Sequence, residues 1–305
     1  MPNQGYLSKN TPLPGIDDEE GDRLPPHIPR VVDAHVHIFP GAVFNAVWNW
    51  FDRYGWPVRY RQKSSDLLAF LFDHGIDHVV ALQYAHKPGI ASFLNDYMVK
   101  KTAEFPGRIT GLATVFPGEK NADDILESAF ARKLKGVKLH SHVQCFDLSG
   151  PEMDPILACC RNAGLPLVIH AGREPKSPAY ACDPYLICSA DRVEAVLKRY
   201  PDLLLVVPHL GMDEFTAYER LVLEYDNLWL DTAMAVTDYL PVKTPVELIK
   251  ARPDRILYGS DFPNIPYAWD RELKWFERSG LPCSDLDRIL WHNAAELFKI
   301  PVGDW

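Results

Sequence analysis

The chain has 305 residues, of which 47% are hydrophobic and 24% are charged, and its formal net charge is −9. This composition is typical of a folded protein with a sizeable core, so it excludes disorder over most of the chain. An acidic chain lacks the basic face that nucleic acids need, and we expect no nucleic-acid partner. No run of about 18 apolar residues is present, which argues against a membrane partner.

The compartment is predicted from the N-terminus and the cysteines. The first residues lack the charged-then-apolar pattern of a signal peptide. The six cysteines form no CxxC pair, and a chain of this length needs no disulfides to fold. We therefore expect free thiols and a cytoplasmic protein.

Residues 1–30 are polar, contain several prolines and carry an acidic cluster at 17–22, so we expect an extended N-terminal arm. From residue 31 to residue 305, short β-branched runs alternate with helical patterns. The predicted strands cover residues 31–38, 78–84, 109–116, 136–140, 166–170, 203–209, 228–232 and 255–260. The predicted helices cover residues 65–74, 90–105, 122–133, 151–163, 190–200, 212–225, 246–251, 269–278 and 284–298.

The alternation predicts an α/β fold with a single (β/α)8 TIM barrel. Eight strand–helix units in about 270 residues fit one closed barrel better than two open sheets. The connection at 39–63 is unusual, because a solvated loop would not carry so many aromatic side chains. Its aromatic residues are Phe39, Phe44, Trp48, Trp50, Phe51, Tyr54, Trp56 and Tyr60. We expect an aromatic loop after strand 1 that covers the barrel rim, forms a lid over the substrate or makes a homodimer contact.

Candidate metal ligands stand at the carboxyl ends of the predicted strands, where barrels of this type place their active sites. His35 and His37 alternate along strand 1 and therefore point to the same face. His170 ends strand 5 and Asp261 follows strand 8, so both can approach from across the mouth. Three imidazoles and one carboxylate suit Zn²⁺, and Mn²⁺, Fe²⁺ or Co²⁺ also fit.

Six segments together resemble the amidohydrolase superfamily: VDAHVHIFP, GVKLHSH, LPLVIHAGR, LVVPHLG, ILYGSDFPN and HNAAELFKI. Within it they most resemble the amidohydrolase-related branch that includes aminocarboxymuconate-semialdehyde decarboxylase. The resemblance runs in order from residue 31 to about residue 300. It implies a metal bound by His35, His37, His170 and Asp261, with His209 as a non-ligand acid–base or water-orienting residue.

The resemblance leaves the number of metal ions open. In two-metal members a carboxylated lysine at the end of strand 4 bridges the ions, and Lys138 occupies that position, with His140 on the same strand face. A second ion would then be bound by His170 and His209. The decarboxylase-like branch is usually mononuclear, so we favour one ion. Lys138 could instead form an ion pair inside the barrel or contact an anionic substrate.

Three further residues are candidates for substrate contacts. Arg173 follows His170 and could hold a carboxylate through two hydrogen bonds, although a surface ion pair explains it equally well. Tyr84 ends strand 2, and His142 follows strand 4.

These residues predict a metal-dependent hydrolase of a small carbonyl compound, and an anionic substrate is one option. A metal-activated water would attack an amide, ester or lactone, with Asp261 or His209 moving its proton. The alternative is a metal-dependent non-oxidative decarboxylase or hydratase of an aromatic or muconate-type acid. A non-catalytic barrel that binds a partner through its aromatic loop is the rival of another class.

Overall fold

The computed structural model describes residues 15–173, 177–240 and 243–301. The strands are β1 (Val32–His37), β2 (His78–Leu82), β3 (Ile109–Gly111), β4 (Val137–His140), β5 (Leu167–His170), β6 (Leu205–Val207), β7 (Leu228–Asp231) and β8 (Ile256–Leu257). The first seven helices are α1 (Gly41–Tyr54), α2 (Ser64–Asp73), α3 (Ala91–Glu104), α4 (Ala122–Ala131), α5 (Ser141–Gln144), α6 (Asp154–Ala163) and α7 (Pro184–Ile187). The others are α8 (Ala190–Arg199), α9 (Phe215–Glu224), α10 (Val246–Ala251), α11 (Arg271–Arg278), α12 (Cys283–Asp287) and α13 (Asn293–Leu297).

The strands are parallel and follow one another in chain order. They form one run of hydrogen-bonded neighbours from β1 to β3 and another from β4 to β8. Isolated parallel bridges join these runs at both seams, between Ala113 and Val137 and between Val36 and Phe262. Each predicted strand contains an observed one, and the predicted (β/α)8 barrel is confirmed.

The barrel interior has an apolar lower layer and a polar upper layer. The lower layer contains Val32, Val80 and Val168, packed against Trp291 and Phe298 from the C-terminal helical segment. Lys138, His140 and His170 belong to the opposite set of side chains from Val137, Leu139 and Ile169, which pack in the outer core beneath the helices. Polar side chains therefore collect at the mouth, the barrel end where the strands have their carboxyl ends.

A bulge in β1 turns its histidines into this interior. Asp33 pairs with Val79 and Val36 with Ala81, so two residues of β1 stand opposite Val80. The extra residue changes which side chains face inward, as bulges do. Ala34 belongs to the lower layer, while His35 and His37 lie above it on the same side of the strand.

The prediction of an aromatic loop after strand 1 is wrong in one respect, because residues 41–54 form helix α1. Val43, Phe44, Val47 and Trp48 lie at helical spacing, and this stripe packs against the main core. The helical period of this stripe was not recognised in the sequence because many other aromatic residues surround it. The helix and the chain after it cover part of the mouth, where Trp50 stacks on Tyr180 at 5.4 Å between ring centroids.

The first 14 residues of the predicted arm lie outside the described residues, and residues 15–30 pack against the barrel. Asp18 forms an ion pair with Arg271 at 2.7 Å, and the Trp269 indole donates to the Gly21 carbonyl at 3.0 Å. An ion pair and a hydrogen bond thus hold this segment against the last third of the chain. Within the described ranges, no helix is both long enough and apolar enough to cross a membrane.

We expect α1 to contribute directly to stability. Phe44 is fully buried, edge-on to Phe39 and stacked on Trp48. Phe44→Ala should lower the free energy of unfolding by about 3–5 kcal/mol, measured by urea unfolding. Asn45→Ala on the exposed side of the same helix is the control and should change it by less than about 0.5 kcal/mol. Equal effects of the two variants would contradict the packing of α1 on the barrel.

Candidate metal centre at the barrel mouth

Three side chains at the mouth converge in a tight group. The ligand atoms of His35, His37 and Asp261 all lie within 4.8 Å of one another, and all three residues are buried. His35 Nε2 lies 3.2 Å from His37 Nε2, and Asp261 Oδ1 lies 3.3 Å and 3.1 Å from those two nitrogens. The structure thus brings together three of the four ligands predicted from the sequence.

A carboxylate that the sequence analysis did not identify orients the first histidine. Asp231, fully buried at the end of β7, places Oδ2 2.7 Å from His35 Nδ1. A carboxylate oxygen can only accept a hydrogen bond, so His35 carries its proton on Nδ1. Its Nε2 therefore keeps a lone pair that faces His37 and Asp261. The other carboxylate oxygen of Asp231, Oδ1, accepts hydrogen bonds from the backbone N–H groups of His209 and Ala233. An aspartate at a strand end was the available signal, because the same criterion identified the histidines.

The turn after β8 is built to bring Asp261 against β1. Its backbone N–H donates to the His35 carbonyl at 2.9 Å, and its φ of 62° is rare for a residue other than glycine. Ser260 donates through its backbone N–H and its hydroxyl to Asp33, which also accepts from the His35 N–H. These bonds fix the distance between His35 and Asp261.

Gly259 permits this close approach because it has no side chain. A Cβ at this position would lie 2.7 Å from the Cβ of His35 and 3.4 Å from Cγ of Asp231. Both contacts involve groups that hold the site. A glycine is therefore required because the backbone at this position lies so close to the neighbouring strand β1.

His170 and His209 form a second part of the site. His209 Nδ1 lies 2.8 Å from the Ala233 carbonyl, which can only accept, so Nδ1 is the donor and Nε2 is the acceptor. That Nε2 lies 3.2 Å from His170 Nδ1. If His170 Nδ1 donates there, its buried Nε2, which has no hydrogen-bond partner among the described residues, keeps a lone pair. The ring of His209 also lies 5.3 Å from that of His35.

The surroundings keep His35 and His170 neutral and keep Asp261 and Asp231 charged. Burial lowers the pKa of His35 to about 4 and holds the pKa of His170 well below its usual value. Burial acts to raise the pKa of Asp261, but the hydrogen bond and charge of His37 outweigh it and lower that pKa. The balance is the same for Asp231, whose pKa His35 lowers to about 2. Neutral imidazoles and an ionised carboxylate are the protonation states in which these groups bind metal ions.

Lys138 lies fully buried on the inner face of β4, and burial lowers its pKa to about 8. Its Nζ has no hydrogen-bond partner in the described part of the chain. His140 neighbours His170 in the next strand, and their rings stack at 4.1 Å. The two residues suggested for a second ion therefore lie in the same polar interior as the tight group.

The three residues suggested for substrate contacts have different surroundings. Tyr84 is buried, 5.7 Å from the His37 ring and 5.0 Å from the His140 ring. His142 lies 4.6 Å from the His170 ring, and its Nε2 lies 3.1 Å from the Gly172 carbonyl. Arg173 forms an ion pair with Glu214 at 3.2 Å, which agrees with the plainer interpretation of that residue.

The donor set fits a divalent cation of intermediate softness. Imidazole nitrogens and one carboxylate oxygen are the ligands of zinc and of neighbouring transition metals. The carboxylate behind His35 matches the outer contacts that normally orient a ligating histidine.

Gly259→Ala should distort the group without removing any of its side chains. The added methyl must displace His35, and we expect a loss of about 1–3 kcal/mol in the free energy of unfolding, measured by denaturant titration. Gly41→Ala is the matched control, because nothing lies within 4 Å of a Cβ added there. If both variants were as stable as the parent, the close approach at Gly259 would be contradicted.

Comparison with known proteins gives one family. A family model described as amidohydrolase matches residues 32–300. Gamma-resorcylate decarboxylase from Polaromonas sp. is 28% identical over 123 residues, which are 33% of this chain and 36% of that protein. The match thus spans about a third of the length of this curated relative.

Solved structures share the fold at low sequence identity. The crystal structure of 5-carboxyvanillate decarboxylase from Sphingomonas paucimobilis has a TM-score of 0.66 and 17% identity, covering 90% of this chain and 100% of that one. A structure described as a probable 2-pyrone-4,6-dicarboxylic acid hydrolase from Acinetobacter baumannii has a TM-score of 0.62 and 17% identity, covering 88% and 99%. At this identity the likeness concerns the fold, and the two names describe different reactions.

The family match extends from the first residue of β1 almost to the end of the described chain, and it includes every residue of the tight group. Members of this family are enzymes that bind divalent metal ions. The chain belongs to the amidohydrolase family.

Proposed function

We propose that this chain is a mononuclear, zinc-dependent hydrolase that cleaves an amide, ester or lactone bond of a small carbonyl compound. The ion would be held by His35, His37, His170 and Asp261. The observation that carries the proposal is the convergence of three of these residues within 4.8 Å, in the protonation states of ligands. One ion is proposed because these three residues converge on a single point.

A bound zinc ion would act as a Lewis acid toward water and the substrate carbonyl. The protein residues supply proton transfer and orientation. His209 presents Nε2 as a proton acceptor because its Nδ1 donates to the Ala233 carbonyl, so it can take a proton from water. Asp261 is the second acceptor, and either residue can return the proton to the leaving group.

An anionic substrate is supported by charge and burial. Lys138 carries the only buried ammonium of the described residues, and its Nζ has no hydrogen-bond partner among them. A substrate carboxylate or carbonyl oxygen would satisfy it. Tyr84 and His142 would border such a substrate, which places specificity at the mouth. The proposed compartment is the cytoplasm, and the free cysteines support it.

Decarboxylation is the second candidate, and two observations favour it. The curated relative is a decarboxylase by name. One side of the mouth is also aromatic, with Tyr84 edge-on to Phe39 at 5.1 Å and Trp50 stacked on Tyr180. That surface suits a planar ring. In this case one carboxyl leaves as CO₂, and Asp261 or His209 delivers a proton to carbon.

The test measures metal content and both reactions. The purified protein should contain about one zinc per chain and lose activity to a chelator. Screening lactones, esters and aromatic acids should give acid release without CO₂ for a hydrolase, and CO₂ release for the second candidate. His35→Ala and Asp261→Ala should lose metal and at least about 100-fold in activity.

His209→Ala is the control within the site, because it should keep the metal and lose about 100-fold or more of the activity. A protein with well under one metal per chain that takes up neither zinc nor manganese would contradict the proposed function. Halved metal content in His209→Ala or Lys138→Ala would instead indicate two ions.

Asp231 is a positioning residue by this geometry, and Asp231→Asn tests it. The amide keeps the size of the side chain but removes the charge that orients His35, so zinc affinity should fall about 10- to 100-fold. Competition with a chromogenic chelator measures it. Asp202→Asn, at an exposed aspartate, should leave the affinity unchanged. Unchanged affinity in Asp231→Asn would contradict the positioning role.

A further inference from the structure

The chain makes a tight turn immediately after β7, next to the ring of His209. The Ala235 N–H donates to the Thr232 carbonyl at 2.9 Å, so Ala233 and Met234 are the two central residues of a β-turn. Met234 has a φ of 60°, whereas Ala233 has a negative φ. This combination is the signature of a type II turn.

The peptide unit between Ala233 and Met234 is held at both ends by side chains. Its carbonyl, which belongs to Ala233, accepts from His209 Nδ1 at 2.8 Å. Its N–H, which belongs to Met234, donates to Oε1 of Glu272 on α11 at 2.7 Å. The carbonyl and the N–H of a planar trans peptide point in opposite directions. The His209 ring and the Glu272 carboxyl therefore lie on opposite sides of this unit.

The turn type is unusual for these residues. A type II turn normally has glycine or asparagine at the position of Met234, whereas a type I turn accepts most residues there with a negative φ. The two types differ mainly by a rotation of the central peptide unit that exchanges the directions of its carbonyl and its N–H. In a type I turn the N–H would face His209, and Nδ1 would have to accept. The proton of a neutral His209 ring would then be on Nε2.

Glu272 offers an acceptor to the N–H side of the unit. The residue is fully buried, and the Tyr267 hydroxyl donates to the same oxygen, Oε1, at 3.3 Å. Burial holds the pKa of Glu272 well above its usual value, which puts a proton on Oε2 and leaves Oε1 as the acceptor. An acceptor at this place favours the N–H over the carbonyl, because two buried acceptor oxygens that face each other make no hydrogen bond.

We propose that Glu272 is a positioning residue for His209. By accepting from the Met234 N–H, it holds the peptide unit in the type II orientation, keeps the His209 proton on Nδ1 and leaves Nε2 as the proton acceptor. The use of that Nε2 in a reaction rests on the proposed function. The tautomer itself requires neither a metal nor a substrate.

His209 and Asp231 do not select this orientation by themselves. The His209 ring could bond to either end of the unit, since Nδ1 can donate to the carbonyl or accept from the N–H. Asp231 Oδ1 accepts from the backbone N–H groups of His209 and Ala233, which belong to the neighbouring peptide units. The contact that distinguishes the two orientations is the one from Met234 to Glu272.

The test reads the tautomer directly by nuclear magnetic resonance. The native full-length chain is isotope-labelled in its histidine ring nitrogens and studied at about pH 9, where a free imidazole is neutral. Correlations from the carbon-bound ring protons distinguish a protonated ring nitrogen from an unprotonated one, and His209→Gln identifies the signals of this ring. We expect a protonated Nδ1 and an unprotonated Nε2 in the parent chain.

Three variants separate the hydrogen bond from the packing of α11. Glu272→Leu fills the space without an acceptor, and the tautomer ratio should shift about tenfold toward the ring protonated on Nε2. Glu272→Gln keeps a carbonyl oxygen at the same reach and should retain the parent tautomer. Phe276→Leu is the matched control, because this buried residue lies one turn further along the same side of α11. It should leave the His209 signals unchanged.

A parent ring protonated on Nε2, an unchanged ratio in Glu272→Leu, or the same shift in Glu272→Gln or Phe276→Leu would each overturn the proposal. If Glu272→Leu fails to fold, Glu272→Asp replaces it, because the shorter carboxyl no longer reaches Met234 and the same shift is expected. A chain that binds no metal and hydrolyses no substrate would contradict the proposed function and leave the tautomer result standing.

Discussion

The site depends on one irregularity in the first strand. In a regular β1, Ala34 and His35 would point to opposite faces of the strand. The strand could then direct either its apolar side chains or its histidines toward the barrel axis, but not both. The bulge opposite Val80 allows a single strand to contribute to both interior layers. The lower part of the strand then contributes to packing, while its upper part carries two imidazoles. Everything that holds the group, from Asp231 to the turn after β8, is arranged around the position this bulge gives to His35.

The barrel tolerates the burial of these polar groups because many of them form hydrogen bonds with one another. Asp231 accepts from His35 and from two backbone N–H groups, and Asp33 accepts from β1 and from Ser260. Burial favours the uncharged forms of histidine and lysine, and the carboxylates stay ionised where an imidazole donates to them. Two of the buried atoms without partners among the described residues, Lys138 Nζ and His170 Nε2, lie in the polar layer of the barrel. The polar layer thus keeps unsatisfied hydrogen-bonding capacity at a place where a ligand can use it.

Much of this was predictable, because strand periodicity and strand ends are local properties. The eight runs, the barrel and the convergence of His35, His37 and Asp261 follow from the rule that parallel strands end at one edge. Helix α1 was missed because aromatic residues on several of its faces masked the helical stripe. Asp231 stands at a strand end like the predicted ligands, but its role was missed because it depends on a contact with His35, a residue almost 200 positions earlier. The packing of residues 15–30 depends likewise on ion pairs with the last third of the chain.

The packing at the lower end of the barrel determines how small molecules reach and leave the site. Trp291 and Phe298 pack with the apolar layer beneath the site, so the axis is sealed on that side. Reactant and product must share the opening that α1 and the segment around Tyr180 border. Departure of one molecule then has to precede arrival of the next, and a slow exit would cap turnover however fast the bond-breaking step became. Substitutions along this opening would therefore change the turnover rate even at positions that do not contact the reacting atoms.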